Sequence, residues 1–347
     1  MVLLQVRGYN AGVHSWLETA FGLFWIYHRK EHDMSLVVYL ITYLAIIVFI
    51  SAIIKRIIHY LTNPLHVRWE IYPVAHAGKR ASYGGGYLEE VDWWQKERKV
   101  SLIGELKVMI PEIFLLKAVW ENNRSLWFFT YPFHLGLYLT SAFFVLLILG
   151  AIGQLSGFPV GSDVPLMNAV GALTRLAGPL GFILTIIGAL GLIIKRITDP
   201  GLRNYSTVSH FFNLILFLVT MAIALIVWLS VDPTFAMART FLANLISFNP
   251  AKISRPMFLL QVLLMVLTIA YIPLTHMSHF FMKYFLYHDI RWGDEPNINT
   301  PKTDKKIAVV LNYPVTWSAP HIAGHGKETW AEVATFNPVA NLESGKE

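Results

Sequence analysis

Five apolar stretches, at residues 34–60, 130–152, 170–197, 205–230 and 255–287, each exceed the roughly 20 residues that a helix needs to cross a bilayer's hydrocarbon core. Inside hydrocarbon the backbone must satisfy its own hydrogen bonds, so stretches of this length fold as helices. Only 14% of the residues are charged, against about 25% in an ordinary soluble domain. The expected fold class is an all-α membrane protein, a five-transmembrane-helix bundle. Between the fourth and fifth spans, residues 232–249 are amphipathic and begin with Pro233, which reads as a short surface helix.

Residues 15–27 are apolar but too short to span, and carry Trp16, Phe21, Phe24 and Trp25. They read as an interfacial helix. No basic segment, apolar run and small-residue cleavage site follow one another at the N-terminus, so no secretory signal is expected. The organisation predicted is an outer N-terminal interfacial segment (1–33), a first transmembrane helix (34–60), a cytoplasmic docking loop (61–125), a four-helix membrane core (126–290) and a cytoplasmic polar tail (291–347). No internal repeat is evident.

Orientation follows from the distribution of Lys and Arg rather than from the net charge of +6. Of the 28 basic residues, 21 fall in 55–124, 195–203 and the segment from Lys283 onward. The short loop with Lys195, Arg196 and Arg203 and the flank Lys55-Arg56 agree. This places the N-terminus outside and the C-terminus in the cytoplasm of an inner membrane. The inner loop is too large for a plain connection. It holds Gly84-Gly85-Gly86, an acidic and aromatic patch (Glu89, Glu90, Asp92, Trp93, Trp94) and a surface helix broken near Pro111. Loop and tail read as docking surface for a soluble partner, and no nucleic-acid module is present.

The chain has no cysteine. That excludes disulfides, thiolate iron–sulfur clusters and covalently attached c-type haem within it. Redox centres here need His, Met or oxygen ligands. Four histidines, His134, His210, His276 and His279, lie inside or at the ends of the apolar spans. Intramembrane imidazole is expensive without a partner and is a functional candidate by default. With the topology above, all four gather in the cytoplasmic leaflet at comparable depth. Imidazoles from two facing helices are how a non-covalent haem iron is held. On an α-helix, His276 and His279 diverge by about 60°, so only one of them serves a given iron. The other is left to a second haem or to a propionate. Lys195 and Arg196 are placed to pair with propionates. His59 and His288 read as interfacial, and His321 and His325 as solvated.

Several stretches carry a family resemblance. Phe133-His134-Leu135-Gly136, GALGLIIKR at 188–196 and Ile272-Pro273-Leu274-Thr275-His276-Met277-Ser278-His279 resemble the gamma subunit of respiratory nitrate reductase, a five-helix membrane cytochrome b. WEIYPV (69–74), GGGYLEEVDWW (84–94), HFFMKYFLYHDIRWGDEPN (279–297) and GHGKETWAEVATFNP (324–338) are closer to the cytochrome b subunits of Dsr-, Tmc- and Hme-type complexes of sulfate reducers and of membrane-bound heterodisulfide reductase. The resemblance implies haem b held by His134 and His279 at the cytoplasmic side, making 126–290 the haem-binding core. The family's second haem positions hold Phe144 and Gln261 here, which leaves the haem count open. His210 with His276 is the replacement pair, and His14 or His28 the other source.

The function implied is electron transfer between menaquinone, or an outer multihaem cytochrome c, and a cytoplasmic iron–sulfur subunit of the heterodisulfide-reductase kind. It would serve as one subunit of a membrane-bound oxidoreductase in anaerobic sulfur or sulfate respiration, alongside further membrane subunits. It would not be a stand-alone catalyst. The rival reading is a proton- or ion-translocating transporter subunit that uses the same histidines as a relay. No discontinuous-helix repeat or carboxylate at a helix centre supports that rival.

Overall fold

A computed structural model of the chain describes residues 5–62, 91, 102–282, 301–315 and 328–335, with side chains of the first helix from residue 34 onward. The cue at 69–74, all of 84–94 but residue 91, most of 279–297, residues 324–327 and 336–338 of the last cue, and His288, His321 and His325 lie outside the described residues, as do the side chains of His14 and His28. Every described element is helical, apart from one isolated bridge between Pro314 and Thr329.

Among the described residues, nine α-helices precede residue 272. They are α1 (Gln5–Thr62), α2 (Leu102–Phe114), α3 (Lys117–Asn122), α4 (Arg124–Leu155), α5 (Pro165–Thr198), α6 (Pro200–Asn204), α7 (Val208–Ser230), α8 (Ala236–Ile246) and α9 (Pro256–Tyr271). Helices at Pro301–Leu311 and Trp330–Thr335 follow. Among the described residues, five helices are long and apolar enough to cross a membrane: Met34–Thr62 within α1, then α4, α5, α7 and Pro256–Leu274. The protein is therefore a multi-pass all-α membrane protein.

The chain forms two compact units, Met1–Ser51 with Pro111–Thr275, and Ala52–Ile110 with His276–Glu347. In the first, α4 and α5 pack antiparallel through residues too small to hold them apart. The buried positions of α4 recur at intervals of three and four: Phe133, Gly136, Thr140, Phe143, Leu147 and Gly150. A Cβ at Gly136 would sit 2.5 Å from the Thr185 backbone nitrogen, and one at Gly181 2.9 Å from that of Thr140. Helices in lipid gain little from apolar contact as such, so close backbone approach through small residues is what joins them. Buried threonines return their hydroxyls to their own helix: Thr140 donates to Gly136 O at 2.8 Å and Thr185 to Gly181 O at 2.8 Å. A second cluster joins α1, α7, α8 and α9 around Tyr39, Val227, Phe241, Phe258 and Val262.

Three expectations change. Helical hydrogen bonding runs unbroken from Gln5 to Thr62, so residues 15–27 are part of α1 and not a separate interfacial element. The helix between the fourth and fifth spans exists, but it is built into the bundle: Arg239, Phe241, Ala243 and Leu245 are buried. Helix α2 passes through Pro111 and ends at Phe114.

Candidate functional site

His134 lies in the first third of α4 on a stripe with Trp127, Tyr131 and Tyr138, the spacing that places side chains on one helical face. That face meets the α2–α3 connection. Tyr138 donates its hydroxyl to Ile113 O at 2.7 Å, and Trp127 Nε1 donates to Leu115 O at 2.8 Å. Trp127 and Tyr131 stack with centroids 4.5 Å apart. The half-buried imidazole of His134 places Nδ1 2.8 Å from Thr130 O. A carbonyl only accepts, so Nδ1 carries the proton and Nε2 the ligating lone pair. Metal-binding histidines are oriented by this kind of bond from the other ring nitrogen.

His210 is bound differently. It is the third residue of α7 after the N-cap Thr207, and the two form a reciprocal capping box. The Thr207 backbone N–H donates to His210 Nδ1 at 3.0 Å. Here Nδ1 is the acceptor, so the neutral ring holds its proton on Nε2 and that nitrogen has no lone pair for a metal. Depth differs as well. Phe133 contacts Phe217 with centroids 5.7 Å apart, which sets His134 about 10 Å further along the α7 axis than His210. The expected common depth does not hold for these two.

Helix α9 stops at Tyr271. Pro273 has no N–H to continue the ladder and its ring crowds the preceding turn. Two 3₁₀ turns follow, Ile272–Leu274 and His276–Ser278, with Thr275 extended between them. The span expected to run to residue 287 therefore breaks, and the α-helical angle between His276 and His279 does not apply. His279 instead places Nδ1 3.1 Å from His276 O, the same tautomer logic as at His134. Ser278 is buried, and its hydroxyl donates to the Met282 sulfur at 3.0 Å. His134 and His210 belong to the first unit, His276 and His279 to the second.

Lys195 and Arg196 close α5. Lys195 donates to Ser125 Oγ at 3.3 Å, and Arg196 Nη1 to Ser206 Oγ at 3.0 Å. Arg196 Nε is shielded from solvent and has no hydrogen-bond partner among the described residues. An enclosed guanidinium N–H of this kind suits a carboxylate. Phe144 sits beside Phe143 with centroids 5.8 Å apart. The Gln261 amide oxygen is buried without a partner among the described residues.

No protein family, curated protein or solved structure matches the chain. The site is argued from its residues alone.

No group of three or more His, Asp or Glu able to hold a bare metal ion forms among the described residues; an iron already in a porphyrin needs only two axial donors. His134 and, in the other unit, His279 each carry the imidazole donor that such an iron takes, and the enclosed Nε of Arg196 is chemically suited to a carboxylate. Sequence reasoning missed the aromatic stripe, although the 127, 131, 134, 138 spacing was readable. It also missed the cap at His210, which Thr207 three residues ahead of it and an apolar run after it signal.

Proposed function

We propose that this protein is a haem b electron-transfer subunit of a membrane-bound oxidoreductase, with His134 and His279 as haem ligands. The observation that carries the reading is the shared hydrogen-bond pattern. Each Nδ1 faces a backbone carbonyl, Thr130 O at 2.8 Å and His276 O at 3.1 Å, which leaves Nε2 as the donor to a metal. A bound haem would supply reversible one-electron chemistry within the bilayer. Thr130 O and His276 O fix the two rings. Arg196 Nε would offer its proton to a propionate, and Lys195 would add a second positive charge at the same end of α5. His210 keeps its capping role and stands outside the pair.

The partners proposed are the menaquinone pool or an outer cytochrome c, and a cytoplasmic iron–sulfur subunit. The orientation is N-terminus out and C-terminus in. The arrangement follows the mould of the nitrate reductase gamma subunit and its relatives in sulfate reducers. Support comes from the five spans, the absence of cysteine and the clustering of basic residues in 195–203.

Purified protein, made with an adequate haem supply and reduced with dithionite, tests this. The wild type should show the α-band of a b-type haem and bind haem stoichiometrically by pyridine haemochrome. His134→Ala and His279→Ala should each lose it, whereas His210→Ala should retain it. A wild type devoid of haem, or full haem in either of the first two variants, overturns the assignment.

A further inference from the structure

Helix α2 carries an apolar stripe for which electron transfer has no use. Ile103, Leu106, Ile110 and Phe114 recur at intervals of three and four, so they line one face of an unbroken helix. All four are 44–68% exposed. Lys107 borders that face, where a long stem can lie along apolar surface and carry its charge outward. Glu112 lies on the opposite face, and its carboxylate accepts from the Ala118 N–H at 2.9 Å, at the start of α3. A bare apolar stripe of this kind marks a surface that something apolar covers.

The backbone where α2 turns into α3 indicates what the cover is. A helix end leaves carbonyls unpaired. Water serves them on a soluble surface, but in lipid only protein can. Here protein does. Leu115 N–H donates to Pro111 O at 3.0 Å, Tyr138 to Ile113 O at 2.7 Å and Trp127 Nε1 to Leu115 O at 2.8 Å. The Val119 and Trp120 N–H groups donate to Leu116 O at 3.0 and 3.1 Å. Both side-chain donors come from the span α4. Lys195, bonded to Ser125, marks the charged end shared by α4 and α5. Tyr138 lies about 20 Å further along α4. Even with its ring leaning back toward the helix start, it holds Ile113 O inward of Ser125. Phe114 packs on Tyr138 with centroids 5.7 Å apart, and Trp120 meets Phe128 at 6.3 Å. Phe128 is itself exposed on the span, so the turn is continuous with that outward surface.

We propose that α2 and its turn into α3 lie in the lipid interface at the Lys195 end of the spans, with Ile103, Leu106, Ile110 and Phe114 against acyl chains. The exposed ion pair of Lys117 and Glu121, at 3.6 Å, sits at headgroup level. An amphipathic helix of this kind buries its apolar face about 5–10 Å into the boundary between headgroups and chains. A soluble partner seated on the same stripe would leave the nearby turn open to water, with no need for two side chains of a span to serve its carbonyls. Part of the long loop expected to face the cytoplasm therefore faces lipid. The inference is independent of the haem reading.

The chain has no cysteine, so each single-cysteine variant takes one nitroxide label. Leu106→Cys and Leu115→Cys probe the helix and its turn. Val145→Cys, on the exposed side of α4, is the lipid reference, and Asp304→Cys, exposed on Pro301–Leu311, the aqueous one. Full-length protein, alone in nanodiscs of phosphatidylcholine and phosphatidylglycerol, is measured by power-saturation EPR with oxygen, which concentrates in lipid, and with a nickel chelate, which stays in water. The ratio of oxygen to nickel accessibility at Leu106 and Leu115 should be severalfold above that at Asp304 and approach that at Val145. A ratio equal to that at Asp304 would place the stripe in water, as for a partner-docking face, and overturn the proposal. Exclusion of both reagents would mean a protein cover and overturn it equally. Leu106 and Leu115 are both exposed, so neither change removes a packed side chain, and Tm should match the wild type; if one variant does not fold, the other decides.

Discussion

The α4–α5 seam and the end of α9 are made of sequence of nearly the same hydropathy, and they treat the backbone in opposite ways. In the seam two helices run unbroken past one another, and glycines let backbone meet backbone. At the end of α9 one proline stops the ladder, and two 3₁₀ turns carry His276 and His279 out of the helix. The seam leaves no room for a ligand, because the space above each glycine is filled by the facing helix. Past the break the His276 carbonyl orients the His279 ring, one of the two imidazoles in the proposed chemistry. Apolar composition alone therefore says nothing about which part of a span is scaffold and which is site.

The largest effect should come from closing the seam's clearance. A methyl group at Gly188 would lie 2.6 Å from Phe133 Cα, with the Phe133 backbone nitrogen closer still. Backbone cannot swing aside as a side chain can. Gly188→Ala should cost about 3 kcal/mol, the upper part of the range for overpacking, read as a large fall in Tm in detergent. Gly191→Ala meets the Phe129 ring instead, which can rotate, and should cost less. Equal losses would mean that backbone contact is not what closes the seam.

Next in size is the break itself. Pro273→Ala restores the missing N–H and should let α9 continue through Thr275, turning the His279 ring away from its present direction. Ligation tolerates errors of only about 10–20°, so haem per protein should fall severalfold while the Tm of haem-free protein holds or rises. Unchanged haem content would show that the break does not position the ligand.

His210→Ala sharpens the contrast between a capping and a ligating imidazole. It removes the acceptor for the Thr207 N–H and should cost about 1 kcal/mol, as cap deletions do, with haem retained. Haem loss equal to that of His134→Ala would end the distinction drawn from the two ring tautomers.

The spans themselves were legible, because twenty consecutive apolar residues outweigh any local signal; their observed bounds shift by only a few residues, except at α9. That exception is instructive. Pro111, Pro132 and Pro179 all lie inside continuing helices, whereas Pro273 ends one. Pro179 is buried within α5, and hydropathy carries no record of which prolines are packed inside the bundle. The burial of α8 escaped for a related reason. Its amphipathic pattern reads as a surface helix until Gly150 is seen to make room for Arg239, a pairing of positions 89 residues apart. The histidines were found by residue type; their roles needed the atoms that their ring nitrogens face.

The smallest predicted effect, that of Thr220→Val, lies where α9 still behaves as an ordinary packed helix, above the break. Thr220 and Thr268 are both buried, with hydroxyl oxygens 3.1 Å apart across α7 and α9. Thr268 already donates to Leu264 O at 2.8 Å, so its single proton is committed and Thr220 must be the donor between them. The two valine substitutions are therefore unequal. Thr220→Val removes a donor and leaves Thr268 still bonded to its own helix, a loss of about 0.6 kcal/mol, the average for an interhelical hydrogen bond in lipid. Thr268→Val takes away the acceptor and strands a buried donor, at about 1–3 kcal/mol. A double-mutant cycle on thermal stability in detergent measures both. Equal single-mutant costs would show that the proton runs the other way, or that neither hydroxyl depends on its partner.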